Sequence, residues 1–276
     1  MPNILQLGTL IMNGKAIVPP ERGASYRFGR LALNIVNTQD EKAIKWIVVG
    51  GKLMADRCLV RDISYFTIDT EILCNPHLGG PYITVGSCLD NDNSFKMGVW
   101  TRPRKIWLDG QEYILRLPQV GKCKDAPNEW DSALHDVGDS NSIWHWHGIY
   151  TWGSDRTDCN YGPNDTDCAT WALRGYDSPW TWAEYWAEYS DGCGWRPVLE
   201  PVSEEPHPGL IGQEVAVWHG QQIIRGQLDS YTAYDLCLSH AQKAFVDDYG
   251  REVWYEHLPG LKIIVDRAKV AALQRR

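Results

Sequence analysis

ALRGYDSPWTWAEYWAEYSDGCGWRPVLE, residues 172–200, is the stretch on which the reading of this chain turns. It sets Trp180, Trp182, Trp186 and Trp195 among Tyr176, Tyr185 and Tyr189, between an Arg-Gly pair and a Gly-Trp-Arg-Pro close. Eleven of the 14 tryptophans fall between Trp100 and Trp195. An indole is a large rigid plate with a single N–H donor, so this density marks either a compact β-rich core or an aromatic recognition surface. Trp180 and Trp182 stand two apart and share one face of an extended strand. By period alone TWAEYWAEY fits a short helix or an edge strand. Trp180, Trp182, Tyr185, Trp186 and Tyr176, with Tyr189 beside them, form the candidate ligand-binding set; core packing is the competing reading.

Upstream lies DSNSIWHWHGIYTWGSD, residues 139–155. Read as a strand, it puts His145 and His147 on one face and Trp144 and Trp146 on the other. Surface or hydrogen-bonded histidines are the expected reading; ligand contact, acid–base work or a metal are the alternatives, a metal needing a third ligand such as Asp155 or Asp158 that does not lie close in sequence. GPNDTD at 162–167 is oxygen-rich, as hard-cation loops are, but lacks EF-hand spacing; an ordinary polar turn is the expected reading and a calcium site the alternative. DAPNEWDSALHDVG, 125–138, predicts an amphipathic helix: Asn128 caps it, Trp130, Ala133, Leu134 and Val137 form the apolar stripe, and Gly138 ends it. In KIWLDGQEYILRL, 105–117, Asp109-Gly110 predicts a tight hairpin.

Residues 1–98 read as a β-rich lobe: ILQLGTLIM, RLALNIV, WIVVGGKL, RCLVRDISYFTIDTEI and PHLGGPYITV are apolar or alternating runs broken by turn residues. PVSEEPHPG, 201–209, predicts a short stiff linker. Beyond it LIGQEVAVWHG, QQIIRGQLDSY, YDLCLSHA and WYEHLPGLKIIVDRAKVAAL supply about five short strands, the pattern of a strongly bent small barrel.

RGYDS at 174–178 followed by GWRPVLE at 194–200 resembles the closing signature of the C-type-lectin-like fold, and within it the sulfatase-modifying-factor and formylglycine-generating-enzyme superfamily. The chain is similar, more narrowly, to clostridial and prophage proteins with an NEWD helix, a WHW segment and a terminal G-F-R-P-V-L-E. The resemblance covers about residues 99–202. It implies structural roles for Arg174, Trp195 and Arg196 and a ligand-facing surface at 176–193. The formylglycine-generating enzymes carry catalytic cysteines just after the Arg-Gly motif; here that region reads PWTWAEYW and Cys193 comes too late, so oxidase activity is not expected. Residues 208–273 resemble an Sm-like barrel through Gly220, Gly226, Leu228, Leu236 and Leu238. The uridine-binding Asp and Asn of that family fall on Thr232 and Asp235, and its Arg-Gly is missing, so RNA is not an expected partner.

Hydrophobic residues make up 43% and charged residues 22% of the 276, which describes a globular chain. No apolar run suits a membrane span or a secretory leader. The net charge of −8 is uneven: residues 1–124 carry 16 basic and 11 acidic groups, 125–205 carry 3 and 16, and 206–276 carry 8 of each. The middle field would repel phosphate. Eight cysteines show no C-x-x-C pair; reduced thiols are expected, with a Cys159–Cys168 cross-link as the alternative. No nucleophile elbow and no phosphate-binding glycine loop occur.

The expected architecture is mainly β with a few helices (α+β): a β-rich lobe (1–98), a Trp-rich C-type-lectin-like module (99–202), a linker (203–208) and an Sm-like barrel (209–276). The expected function is non-catalytic recognition of a protein or small-molecule ligand by a phage or prophage protein, in the bacterial cytoplasm or on a virion, without cofactor or assigned metal. The barrel is a candidate for homo-oligomerisation. A tail accessory protein, a counter-defence protein that captures a host protein or nucleotide signal, and a metal enzyme built on His145 and His147 are the alternatives.

Overall fold

The computed structural model describes residues 3–26, 33–39, 41–73, 103–157, 170–246, 252–256 and 262–276. PHLGGPYITV, Asp158, the GPNDTD loop and both Cys159 and Cys168 lie outside them. Strands take 53% of the described residues, so the chain is mainly β.

The first stretch holds β1 (Ile4–Met12), β2 (Lys15–Ile17), β3 (Ala24–Ser25), β4 (Leu33–Val36), β5 (Ala43–Val49), β6 (Lys52–Ala55), β7 (Val60–Arg61) and α1 (Tyr65–Thr67), which runs on as a π-helical turn over Ile68–Leu73. Within the β-like stretch 57–72, Val60–Arg61 is a strand, and the helical piece corrects the reading from residue 65 onward. The Ser64 hydroxyl accepts from the Thr67 N–H, and Tyr65, Ile68 and Ile72 then fall on one buried face, a spacing that a helix satisfies and a strand does not.

The middle stretch holds β8 (Arg104–Leu108), β9 (Gln111–Arg116), α2 (Glu129–Val137), α3 (Asn141–Trp144), β10 (Tyr150–Arg156), β11 (Thr170–Gly175), β12 (Ser178–Trp186), β13 (Cys193–Trp195) and β14 (Val198–Pro201). Asp109 and Gly110 join β8 to β9 with φ of 49° and 81°, the left-handed pair a two-residue hairpin demands. Asn128 caps α2 by accepting from the Asp131 N–H at 2.8 Å. TWAEYW resolves as strand β12 at the edge of its sheet. An edge is where Pro179, with no N–H to give, is tolerated.

Two sheets share the first two stretches. One is eight-stranded among the described residues, in the order β2-β1-β5-β6-β14-β9-β8 with β4 also on β1. β14 inserts between β6 and β9, so the close of the 172–200 stretch joins the lobe to the middle region. The sheet curls so that the turn after β8 meets the segment after β4, where the Asp109 carboxylate accepts from the Thr38 N–H at 2.9 Å. The other sheet runs β12-β11-β10-β13-β7-β3.

Alternation explains the cores. Trp46, Val48, Leu53, Ala55 and Leu199 meet Trp152, Trp171, Leu173 and Trp195 in the core between the two sheets. Ile47, Val49, Met54 and Val198, on the opposite face, pack with Trp130, Ala133, Leu134 and Trp144 of the helices. With apolar side chains buried on both faces, β5 reads as a continuous apolar run rather than an alternating one.

The last stretch holds β15 (Glu214–His219), β16 (Gln222–Tyr231), β17 (Asp235–Val246), β18 (Glu252–Glu256), β19 (Ile263–Asp266) and β20 (Val270–Arg275), in one bent sheet ordered β18-β17-β16-β15-β20, with β19 on β17. Val215, Val217, Leu228, Leu238 and Leu273 line its own core. Ala216, Trp218 and Ala272 point the other way and join the main core. Trp218 meets Tyr113 edge-to-face at 6.1 Å and donates to Gln274 Oε1. The linker is tied down as well: the Glu204 N–H donates to the Leu273 carbonyl at 2.7 Å, and the Ser203 hydroxyl accepts from the Leu273 N–H. Among the described residues no helix is long and apolar enough to cross a membrane.

Candidate recognition surface

Strand β12 sorts the aromatic set into two faces. Trp180 and Trp182 share one, and both pack on the core beneath α2 and α3. Their N–H groups are spent internally, Trp180 on Asp139 Oδ2 at 3.0 Å and Trp182 on the Gly121 carbonyl at 3.1 Å. The two indoles therefore brace the helices against the sheet rather than stand free. Trp186 has the same strand parity and is 55% exposed at the strand end.

Tyr185 takes the opposite face and belongs to a ladder of four tyrosines. Tyr150 stacks on Tyr176 (centroids 4.9 Å apart, planes 16° apart), meets Tyr185 edge-to-face at 5.6 Å, and Tyr185 stacks on Tyr189 at 4.3 Å. Each geometry is a favourable arrangement of ring quadrupoles. The ends of the ladder are open: Tyr176 is 39% and Tyr189 41% exposed. Tyr150 and Tyr185 are half-buried and rest on the core between the sheets.

The backbone holds the ladder rigidly. Tyr176 sits at φ 79°, an unusual conformation for a bulky residue. Its N–H donates to the Ile149 carbonyl at 3.0 Å and its carbonyl accepts from the Gly148 N–H at 2.9 Å. Its ring passes Gly192, where an added Cβ would lie only 3.7 Å from Cε2. The Gly192 carbonyl accepts from the Tyr150 N–H at 2.8 Å. Asp177 and Asp191 thereby flank the rings, both exposed. Burial, then the neighbouring Tyr185 hydroxyl and the Asp177 carboxylate, push the Tyr150 phenol up to about 12. The Tyr189 phenol is raised too, first by desolvation and then by Tyr185.

Two buried guanidinium groups hold the frame. Arg174 donates to the carbonyls of Val120, Trp180 and Lys124 and to Asp131 Oδ2 at 2.8 Å, tying β11 and β12 to the start of α2. Arg196 is fully buried and donates to Thr151 Oγ1 and to the carbonyls of Ala55 and Trp144. It also lies 5.3 Å from the Trp130 ring centre. Trp195 is fully buried in the core between the sheets.

His145 and His147 do not share a strand face, which corrects the alternation expected for the WHWH segment. That segment is the end of α3, with His145 as a left-handed cap at φ 44°. The Ser140 cap, accepting from the Ser142 N–H, and the burial of Trp144 win over strand periodicity. His145 Nε2 lies 3.1 Å from Arg57 Nη2, which must donate, so the imidazole is neutral with its proton on Nδ1. Burial, then the Arg57 charge, push its pKa down. Arg57 also pairs with the buried Asp56 at 2.7 Å. His147 is exposed, its ring edge-on to Trp146.

Asp155 is spent on the N–H groups of Val120 and Gly121. Among the described residues no three His, Cys, Asp or Glu side chains gather as a metal-ligand set. Cys58 and Cys193 are buried free thiols, both with pKa raised by desolvation, and Cys123 is exposed.

Tyr150 was not among the residues singled out from the sequence. It shares strand parity with the buried Trp152, and that spacing by itself says core. Comparison with protein-family models, with curated proteins and with solved structures finds no match to this chain.

Proposed function

We propose that this chain is a non-catalytic recognition protein whose binding surface is the tyrosine ladder, not the Trp180–Trp182 pair. The observation that carries the reading is the run of four rings joined by three contacts, from Tyr176 through Tyr150 and Tyr185 to Tyr189, with both ends open to solvent. Pre-stacked tyrosines offer contact area that loses little side-chain entropy on binding. The sequence resemblance supports the setting: a C-type-lectin-like module of phage or prophage type places its ligand-facing residues at 176–193, and three of the four tyrosines fall there. In this reading the C-terminal sheet is an Sm-like barrel that serves as a docking or assembly element.

The test is a peptide and glycan array probed with the wild-type chain, the Tyr176→Leu/Tyr189→Leu variant and Trp186→Ala. A ligand held by the wild type and by Trp186→Ala but lost by the tyrosine variant, at unchanged Tm, is the expected result. Ligands held equally by all three chains would overturn the assignment.

A further inference from the structure

We infer that the ladder recognises a protein segment presenting lysine or arginine side chains; the inference rests on the recognition reading above and adds the partner's chemistry. Three observations meet at one place. First, the faces of tyrosine rings carry negative quadrupole density that attracts ammonium and guanidinium groups. Second, both exposed rings have a carboxylate at hand: Asp177 follows Tyr176, and Asp191 adjoins Gly192, against which the Tyr176 ring lies. Glu188, also exposed, precedes Tyr189. Third, Arg61 of β7 already faces Asp62 at 3.7 Å, and the Arg22 guanidinium, which lies against Gly148 behind the Tyr176 backbone, is one cation against the three exposed carboxylates Asp177, Glu188 and Asp191.

The middle of the sequence carries the same bias, with 16 acidic against 3 basic groups over residues 125–205. An acidic peptide or a phosphate would meet like charge here. A cationic side chain gains the rim's long-range attraction on approach and the ring contact on arrival.

The experiment uses fluorescence anisotropy of the full chain with three labelled peptides of equal length, Lys/Arg–Gly, Gln–Gly and Glu–Gly, at low and at physiological salt. The Lys/Arg peptide is expected to bind and the other two to bind much more weakly. Tyr176→Leu/Tyr189→Leu should weaken the Lys/Arg peptide by at least about fivefold. Asp177→Asn/Asp191→Asn, which changes exposed charge and leaves the rings in place, should weaken it and flatten its salt dependence. Trp186→Ala should bind as the wild type does. Equal binding of the Gln and Lys/Arg peptides, or binding unmoved by either double variant, overturns the inference. If the array ligand is lost in the tyrosine variant while these peptides fail to discriminate, the recognition surface stands and only its cationic preference falls. If both assays are indifferent to the tyrosines, both assignments fall.

Discussion

Single side chains do the joining in this molecule. Arg196 sits where β14, β10, β6 and α3 converge, and its three nitrogens satisfy carbonyls and a hydroxyl that are otherwise shut away from water. Arg196→Ala leaves those acceptors without their donor and is expected to cost about 1–3 kcal/mol for each acceptor left unsatisfied, read from urea denaturation. Arg196→Lys should rescue little, because an ammonium cannot reproduce the planar fork. His145 adds a pH dependence. Burial and Arg57 hold its pKa below the ordinary value, against smaller opposing pulls from Asp56 and Glu21 and a further push from Arg196. The unfolded chain therefore binds the proton first as pH falls through about 6.5. The stability this residue contributes is present above that pH and is lost as pH falls toward and through the lower folded-state pKa. Wild type should accordingly lose more stability than His145→Gln between neutral pH and about pH 5, measured as Tm against pH.

At the scale of elements, strand β12 decides which aromatics are structural and which are available. Its two-residue repeat sends Trp180 and Trp182 under the helices and Tyr185 into the ladder. The ladder has its own signature in alkali. Tyr150 ionises at about 12 in the folded chain and near 10 when unfolded. A raised phenol contributes stability that is full below about pH 10 and is lost as pH climbs through the folded-state value. Tyr150→Phe should remove one high-pH phenol from the tyrosinate absorbance titration and flatten the loss of stability above about pH 10. If all tyrosines titrate together, the ladder is not packed as described. The hairpin at Asp109-Gly110 and helix α2 were legible from the sequence because local chemistry sets them: left-handed turn residues in one, a cap and an apolar stripe in the other. The WHWH segment was not legible, because a single helical turn carries too few residues to display its period.

In the whole molecule, β14 threads between β6 and β9, and the outer face of the C-terminal sheet closes the main core through Trp218. That docking predicts one cooperative unfolding transition for the full chain. Trp218→Ala should cost about 3–5 kcal/mol and separate the transition into two, by calorimetry, as the C-terminal sheet loses its anchor. A single unshifted transition would show that the docking contributes nothing to stability. The charge asymmetry is also a property at this scale. It concentrates acid in the middle region, and the fold then brings that region's exposed tyrosines and carboxylates to one rim.

By itself, the sequence determined that the chain is mainly β, where its tight turns and capped helix lie, and that its aromatics and acid concentrate in one region. These follow from alternation, turn chemistry and composition, which act over a few residues. Only the tertiary structure decided that Trp180 and Trp182 pack against the helices with their N–H groups spent internally, while Trp186 stays exposed. It also decided that Tyr150, from a different strand, completes a ladder with Tyr176, Tyr185 and Tyr189. A ring's exposure depends on what lies across the sheet from it, and that neighbour is set by strand pairing between residues far apart in the chain.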